Sequence, residues 1–397
     1  MKVQICLMSD QLLANYLPIK QLKPDLAFLI NTDYTQRKGL DKRFKFLLDS
    51  QSIKAVNAPQ LAPEDNFVQL LAFFTDLKEY IKSQSWTDIT LNITGGTKLM
   101  SIAAYQVLSD SCHQIIYLNT AKDQIQLFKR DEFIQLDNKL IGVDEYLYVQ
   151  RVHASKADVV TDDWLSLANS RRLLTEKILN FSNDPDNSWF VGTLNFQASN
   201  AIKRNRLKDG TFETVFEPKR RFNKSIGYAA SRLLEACEES GLLSYDGQRA
   251  IEIASIEAAQ YLSGMWLEEY CYFVARELGV HEIRCGQPIV WETDSKHDDE
   301  IDNEIDVLIV HNNRMLIIEC KTGNLDSNVP TSNEIIYKLD SIASDFRGLY
   351  GDIWLLSARE IKDKRILNRA KSQNVRIIHG AGLAYLKKEI QQWARLN

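Results

Sequence analysis

Short apolar runs alternate with longer amphipathic stretches over the first third of the chain. The runs are Val3–Met8, Leu26–Ile30, Ile53–Val56, Ile89–Ile93 and Gln114–Leu118. Between them, helical periodicity covers roughly Asp41–Ser50, Pro63–Ser83 and Thr97–Ser109. Strand–helix alternation of this kind predicts a parallel, Rossmann-like α/β sheet. The C-terminal part reads differently. Glu304–Val310 and Met315–Lys321 are apolar runs separated by His311-Asn312-Asn313-Arg314. Asparagine tolerates the positive φ that two-residue turns need, so the pair predicts a β-hairpin. Ile353–Leu356 and Arg376–Ile378 add strands to a second α/β core.

The hairpin register turns the pattern into chemistry. With Asn312-Asn313 as the loop, His311 faces Arg314, Asp306 faces Glu319 and Glu304 faces Lys321. Side chains alternate along a strand, so these four share one face. Directly opposed Cβ atoms lie roughly 4.5–5.5 Å apart. Ile305, Val307 and Ile309 on one face, with Leu308 and Val310 on the other, make both faces apolar, so the acids interrupt a buried strand rather than decorate a solvated one. Two carboxylates so placed repel unless a cation lies between them. Oxygen ligands suit Mg²⁺ or Mn²⁺. Lys321 beside that metal is placed to orient a water or to stabilise negative charge on a phosphate.

Two strand ends in the first third also carry candidate groups, because ligands of parallel sheets bind at the carboxyl ends of strands. One is Ser9-Asp10-Gln11; the other is Thr94-Gly95-Gly96-Thr97-Lys98, leading into a helix. The glycines allow close backbone approach, the helix start offers free N–H groups and Lys98 adds a charge. The spacing is neither a P-loop nor a dinucleotide fingerprint, and a tight connection with Thr97 as helix cap explains the turn equally well.

Composition bounds the rest. A chain of 397 residues predicts two or three domains, and 45% hydrophobic with 25% charged residues is a globular composition. No apolar run approaches the roughly 18 residues of a membrane span, and Met1-Lys2-Val3-Gln4 leads into a strand rather than a signal peptide, so a cytoplasmic protein is expected. The six cysteines show no C-x-x-C spacing and read as buried free thiols, and the histidines form no zinc pattern. A net charge of −5 leaves capture of a polyanion to local patches or to a metal.

Asp306 followed thirteen residues later by Glu319-Cys320-Lys321 resembles the PD-(D/E)XK nuclease core, with Ile305 where the name-giving proline would stand. The resemblance implies a further acid on a preceding helix. Gly264–Val274 looks like that helix, with Glu268 as the metal ligand and Glu269 as the lesser candidate; the alternative is two exposed acids on an amphipathic face. It also implies that the Cys320 carbonyl joins Asp306, Glu319 and Glu268 around the metal. Lys338, on a helix after the hairpin, either points at the site or lies on the surface. The paired strand-end motifs look like a CARF domain, the CRISPR-associated Rossmann fold. CARF followed by PD-(D/E)XK resembles the CRISPR ancillary nucleases of type III systems. That resemblance implies a homodimer binding a cyclic oligoadenylate, usually cyclic tetra-adenylate, as allosteric activator, and a nuclease cutting DNA and/or RNA.

The middle of the chain is less distinctive. Lys203 to Lys224 is basic with Phe212, Phe216 and Phe222 interleaved, which fits either a nucleic-acid strand held by phosphate contacts and stacking or a solvated hairpin with its aromatics packed inward. Ser225–Ser240 predicts an amphipathic helix ending at Gly241, and a winged-helix reading is a further alternative. Glu292–Glu300 reads as a solvated acidic loop. The expected organisation is 1–150 as a CARF ligand-sensing domain, 151–250 as a partly basic connecting region and 251–397 as a PD-(D/E)XK domain. The rival functions are a ligand-gated nucleic-acid-binding regulator with an inactive nuclease fold, and an unregulated repair or restriction nuclease.

Overall fold

The computed structural model describes residues 1–155, 160–206, 211–291, 302–327, 334–337, 339 and 350–396. Lys338 and the acidic run 292–300 lie outside these residues. The chain divides into two compact units, with the change at Val152/His153.

In the first unit, five strands are parallel: β1 (Lys2–Leu7), β2 (Leu26–Ile30), β3 (Lys54–Asn57), β4 (Asp88–Asn92) and β5 (Gln114–Asn119). The sheet order is β3-β2-β1-β4-β5, extended by an antiparallel hairpin of β6 (Gln124–Leu127) and β7 (Glu132–Gln135). The hairpin was not legible as strands, because Gln124, Gln126, Glu132 and Gln135 break any apolar run. Strand order reverses direction between β1 and β4, the switch point where such sheets bind ligands. The helix Phe67–Ser83 starts later than the periodicity suggests, because Asn66 caps it by accepting the Gln69 N–H at 3.0 Å. Ile5, Leu7, Phe28, Leu91 and Ile115 meet Phe74 and Ala103 of flanking helices in the core.

The second unit begins at His153, within β8 (Val152–Ala154). Four helices, Asp162–Ser170, Arg172–Asn183, Ser188–Ser199 and Tyr228–Glu239, follow among three short sheet elements. These are a ribbon of β9 (Ile202–Arg206) and β10 (Phe212–Phe216), the strand β11 (Lys219–Arg221), and the hairpin β12 (Leu243–Tyr245) and β13 (Ala250–Ile253). The last three form a sheet in the order β11-β13-β12. The predicted C-cap is present: Gly241 has φ +70°, and the Leu242 N–H donates to Cys237 O at 3.0 Å. A helix followed by a two-stranded wing matches the outline of the winged-helix reading. The exposed part of that helix carries Glu238 and Glu239, and Arg232 is paired with Glu235 at 2.5 Å, so this helix does not present a cationic face to phosphate. The basic aromatics divide: Phe222 is buried against Phe190, whereas Phe212 is exposed.

The core sheet adds β14 (Glu282–Trp291), β15 (Asp302–His311), β16 (Arg314–Lys321), β17 (Gly351–Ser357) and β18 (Arg376–His379), in the order β18-β17-β16-β15-β14-β8. Phe190, Leu194 and Leu233 of the middle helices share one hydrophobic core with Trp266, Val307 and Ile318. The middle of the chain is therefore built into the second unit rather than standing as a linker. All six cysteines are buried free thiols.

Candidate functional site

The hairpin forms on the predicted turn. Asn312 and Asn313 both have left-handed φ, +49° and +61°, and the ladder runs from His311↔Arg314 to Val307↔Ile318. Ile305, Val307, Leu308, Ile309 and Val310 are all buried, so both faces of β15 are apolar apart from the acids. At Asp306 the side chain turns toward the neighbouring strand, and its Oδ2 accepts the Cys320 N–H at 2.6 Å. On the other side, Gly286 takes φ +60° between the pairs Cys285↔Val307 and Gln287↔Ile305. A Cβ on Gly286 would stand 3.6 Å from Glu304 Oε1. A glycine there both permits the left-handed backbone and leaves room beside the acid.

The helix Trp266–Glu277 carries Glu268 in its first turn. It is anchored to the end of β16: Thr322 Oγ1 donates to Ser263 O at 3.3 Å, and a Cβ on Gly264 would sit 3.0 Å from that hydroxyl. This packing places carboxylate oxygens of Glu268, Glu304 and Asp306 within 4.8 Å of one another. Glu268 Oε2 is buried without a hydrogen-bond partner. Lys321 Nζ lies 2.6 Å from Glu319 and 3.8 Å from Asp306.

Glu304 belongs to this group although the sequence reading placed it only on the same face; its two-residue offset from Asp306 was the available signal. Glu319, expected as a ligand, is buried and held by Lys321. The Cys320 carbonyl accepts from Lys321 Nζ at 3.3 Å. Glu269 corrects the reading of that pair. It is neither at the acidic cluster nor exposed, but 1% exposed and bound through both oxygens to Arg171, whose guanidinium lies 4.1 Å from the Tyr261 ring centroid. The next residue on a helix points about 100° away, so Glu268 and Glu269 serve different sides.

Electrostatics fit a cation. Burial, then the charge of Glu319, pushes Asp306 up to about 6. Burial, then the charges of Asp306 and Glu304, pushes Glu268 well above the usual carboxylate range. For Lys321, burial pulls downward, but Glu319 and Asp306 outweigh it and hold the ammonium above its ordinary value. Three clustered carboxylates, one with an orphaned buried oxygen, match the all-oxygen donor set of Mg²⁺ or Mn²⁺.

In the first unit, β1 and β4 are direct neighbours, with Cys6 beside Asn92, so Ser9-Asp10-Gln11 and the Gly-Gly turn emerge side by side. The turn is tightly built. A Cβ on Gly95 would meet Leu7 O at 2.2 Å, and Gly96 has φ +73°. Thr94 Oγ1 donates to Asn92 Oδ1 at 2.6 Å and accepts the Leu118 N–H at 2.7 Å. Thr97 caps the helix Lys98–Leu108, accepting the Met100 N–H at 3.2 Å. Thr97 and Lys98 are exposed, as are Asp10 and Gln11. Tyr34, beyond the end of β2, was not anticipated; its hydroxyl donates to Asp10 Oδ2 at 2.8 Å.

The comparisons bear on both units. Residues 3–146 match the family model of the Card1 CARF domain, and residues 255–397 match that of the Card1-like endonuclease domain. Among solved structures, Can2 from Sulfobacillus thermosulfidooxidans in complex with cyclic tetra-adenylate is similar at 21% identity and TM-score 0.77, over 99% of this chain and 97% of that one. Protein VC1899 from Vibrio cholerae is similar at 18% identity and TM-score 0.79, over 99% and 98%. No curated protein sequence matches. The fold and the two domain matches thus define a class, a CARF domain joined to an endonuclease domain. Within it, residues 3–146 belong with the Card1 CARF domains and residues 255–397 with the Card1-like endonuclease domains.

Proposed function

We propose that the protein is a cytoplasmic, homodimeric, metal-dependent endonuclease of type III CRISPR defence, switched on by cyclic tetra-adenylate bound at the first unit. The observation that carries the reading is the cluster of Glu268, Glu304 and Asp306 beside Lys321. Glu268, Glu304 and Asp306 would hold Mg²⁺ or Mn²⁺, with Glu319 and the Cys320 carbonyl as neighbouring oxygens. The metal would supply charge neutralisation at the phosphate and a more acidic bound water. Glu319 keeps Lys321 protonated, so Lys321 acts as a fixed cation and donor toward the phosphate or the attacking water rather than as a base. The substrate is DNA and/or RNA.

In this reading, 1–150 senses the ligand and 251–397 cuts, while 151–250 supports the nuclease. Ser9, Asp10, Gln11, Thr94, Gly95, Gly96, Thr97 and Lys98 line the sensing edge. Each protomer of a dimer would present these loops to half of a four-fold ring. Leu99, Ile102 and Tyr105 expose an apolar face on the helix behind Lys98, which supports a second copy packing there. No described helix is long and apolar enough to cross a membrane.

The deciding experiment incubates plasmid, single-stranded DNA and RNA with the protein, with and without cyclic tetra-adenylate, in Mn²⁺ or EDTA. Cleavage is expected only with metal, and faster with the activator. Cleavage in excess chelator, or no calorimetric binding of the activator at micromolar concentration, would remove the corresponding half of the reading. Lys98→Glu is expected to reduce activation from a range of roughly 5–150-fold to near none. Unaltered activation would show that the turn does not contact the ring.

A pH dependence follows from the raised carboxylates. Protons compete with the cation for Asp306, held at about 6. At limiting Mn²⁺, cleavage is therefore expected to fall as pH drops through 6, and added Mn²⁺ should move the profile to lower pH. A profile indifferent to metal concentration would count against these carboxylates as ligands.

A further inference from the structure

Beside the acidic cluster lies a groove of about 530 Å³ whose walls the chemistry above does not use. Its floor is Ser263, Thr322 and Gly323, the residues that join the start of the Glu268 helix to the strand end carrying Lys321. One wall is the helix Ser188–Ser199, which presents Trp189 and Phe196, 50% and 65% exposed. Against the same helix, between the two rings, lies Arg359, two residues beyond Ser357, which is paired with Lys321 across β16 and β17. Arg359 Nη2 donates to Ser188 O at 2.7 Å, and it crosses the helix at Gly192, where a Cβ would come within about 2.3 Å of that nitrogen. The absence of a side chain at Gly192 thus lets a guanidinium reach a groove otherwise walled by aromatic rings.

Trp189 and Phe196 are seven residues apart, two turns of one helix face, or about 10.5 Å along the axis. Nucleotides stack at about 3.4 Å per strand, so the interval accommodates about two bases. Exposed rings beside a cation are the combination that grips single-stranded nucleic acid, since every base has a face to stack and every link a phosphate. Bases inside a duplex have no free face to offer.

We propose that this groove holds an unpaired stretch of the nucleic-acid strand adjoining the scissile phosphate, with its bases on Trp189 and Phe196 and a phosphate opposite Arg359. This inference rests on the nuclease reading, and its test separates the two. Binding of a labelled single-stranded oligonucleotide is measured by fluorescence anisotropy on the full-length protein with cyclic tetra-adenylate, in EDTA so that cutting does not intervene. The double variant Trp189→Ala/Phe196→Ala is expected to bind at least roughly 30-fold more weakly, from the size of base–aromatic stacking at two bases. Trp189→Tyr with Phe196→Tyr, which keeps both rings, should restore most of the affinity. An oligonucleotide of abasic residues should bind wild type weakly and be indifferent to the substitutions. Equal affinity of the alanine variant and wild type, or equal binding of abasic and natural oligonucleotides, would overturn the groove. Should the alanine variant fail to fold, photocrosslinking of wild type to a 5-iodouracil oligonucleotide decides: adducts on Trp189 or Phe196 support the groove, and adducts confined elsewhere overturn it. Ring-dependent binding without cleavage in Mn²⁺ would keep the groove and remove the nuclease reading; cleavage with ring-independent binding would do the reverse.

Discussion

A Lys321→Ala variant is expected to cleave nucleic acid at least about 100-fold more slowly than wild type, the scale of losing one electrostatic or acid–base group. Lys321 Nζ contacts Glu319 at 2.6 Å and stands 3.8 Å from Asp306, so it joins the two halves of the hairpin at the reactive edge. Its removal strips the ammonium that contacts buried Glu319 and neighbours Asp306. Because the neighbouring carboxylates hold its proton, the loss should appear across neutral pH rather than only on one limb of a pH profile. Calorimetry with cyclic tetra-adenylate should still report binding, since the ring is proposed to bind the other unit. Cleavage within a few-fold of wild type would end the hairpin argument.

Asp306→Asn is expected to abolish detectable cleavage and yet to raise the melting temperature of the metal-free protein at pH 8. The folded protein holds Asp306 at about 6, against a reference value of 3.8, chiefly through burial. A carboxyl group whose value is raised on folding adds stability below its unfolded value, and that contribution is lost as pH rises through the folded value. At pH 8 the ionised Asp306 therefore costs the apo protein on the order of 1–3 kcal/mol. Asparagine removes the charge while its Oδ1 can still accept the Cys320 N–H. The difference between variant and wild type should shrink as pH is lowered toward 4, and Mn²⁺ should stabilise wild type but not the variant. Scanning calorimetry in EDTA and in Mn²⁺ at both pH values checks all three signs; a melting temperature lowered at pH 8 would refute the electrostatic account.

The parallel strands of the first core and β15 to β18 of the second were legible because they are apolar runs, whereas β14 was not, because Arg284, Gly286 and Gln287 interrupt it. The hairpin was legible to the residue because an Asn-Asn pair admits one turn geometry, and alternation then fixes which side chains share a face. Glu268 was found only through resemblance: it comes from a helix 38 positions before Asp306, and no local pattern states that the two meet. Glu304 shows the opposite case, a residue whose face was legible while its membership of the cluster depended on where the Glu268 helix packs. Glu269 was misread because periodicity cannot tell a solvated acid from one buried against an arginine 98 positions away. The edge hairpin β6–β7 escaped because its strands are short and half polar. Tyr34 escaped because a lone aromatic in the short helix Asp33–Arg37 gives no signal until the adjoining strand end is in place.

The change of unit at Val152/His153 has a bearing on how the molecule is made. Chains are synthesised N-terminus first, at about 5–20 residues per second, and domains fold as units while they emerge. Roughly 170 residues separate that change from Lys321, so the ribosome needs on the order of ten seconds or more to deliver the last reactive residue after the first unit is complete. A hairpin closes in microseconds once available. The CARF domain thus emerges well before the hairpin that carries Lys321 can form, and any chain that ends short of residue 321 lacks that lysine.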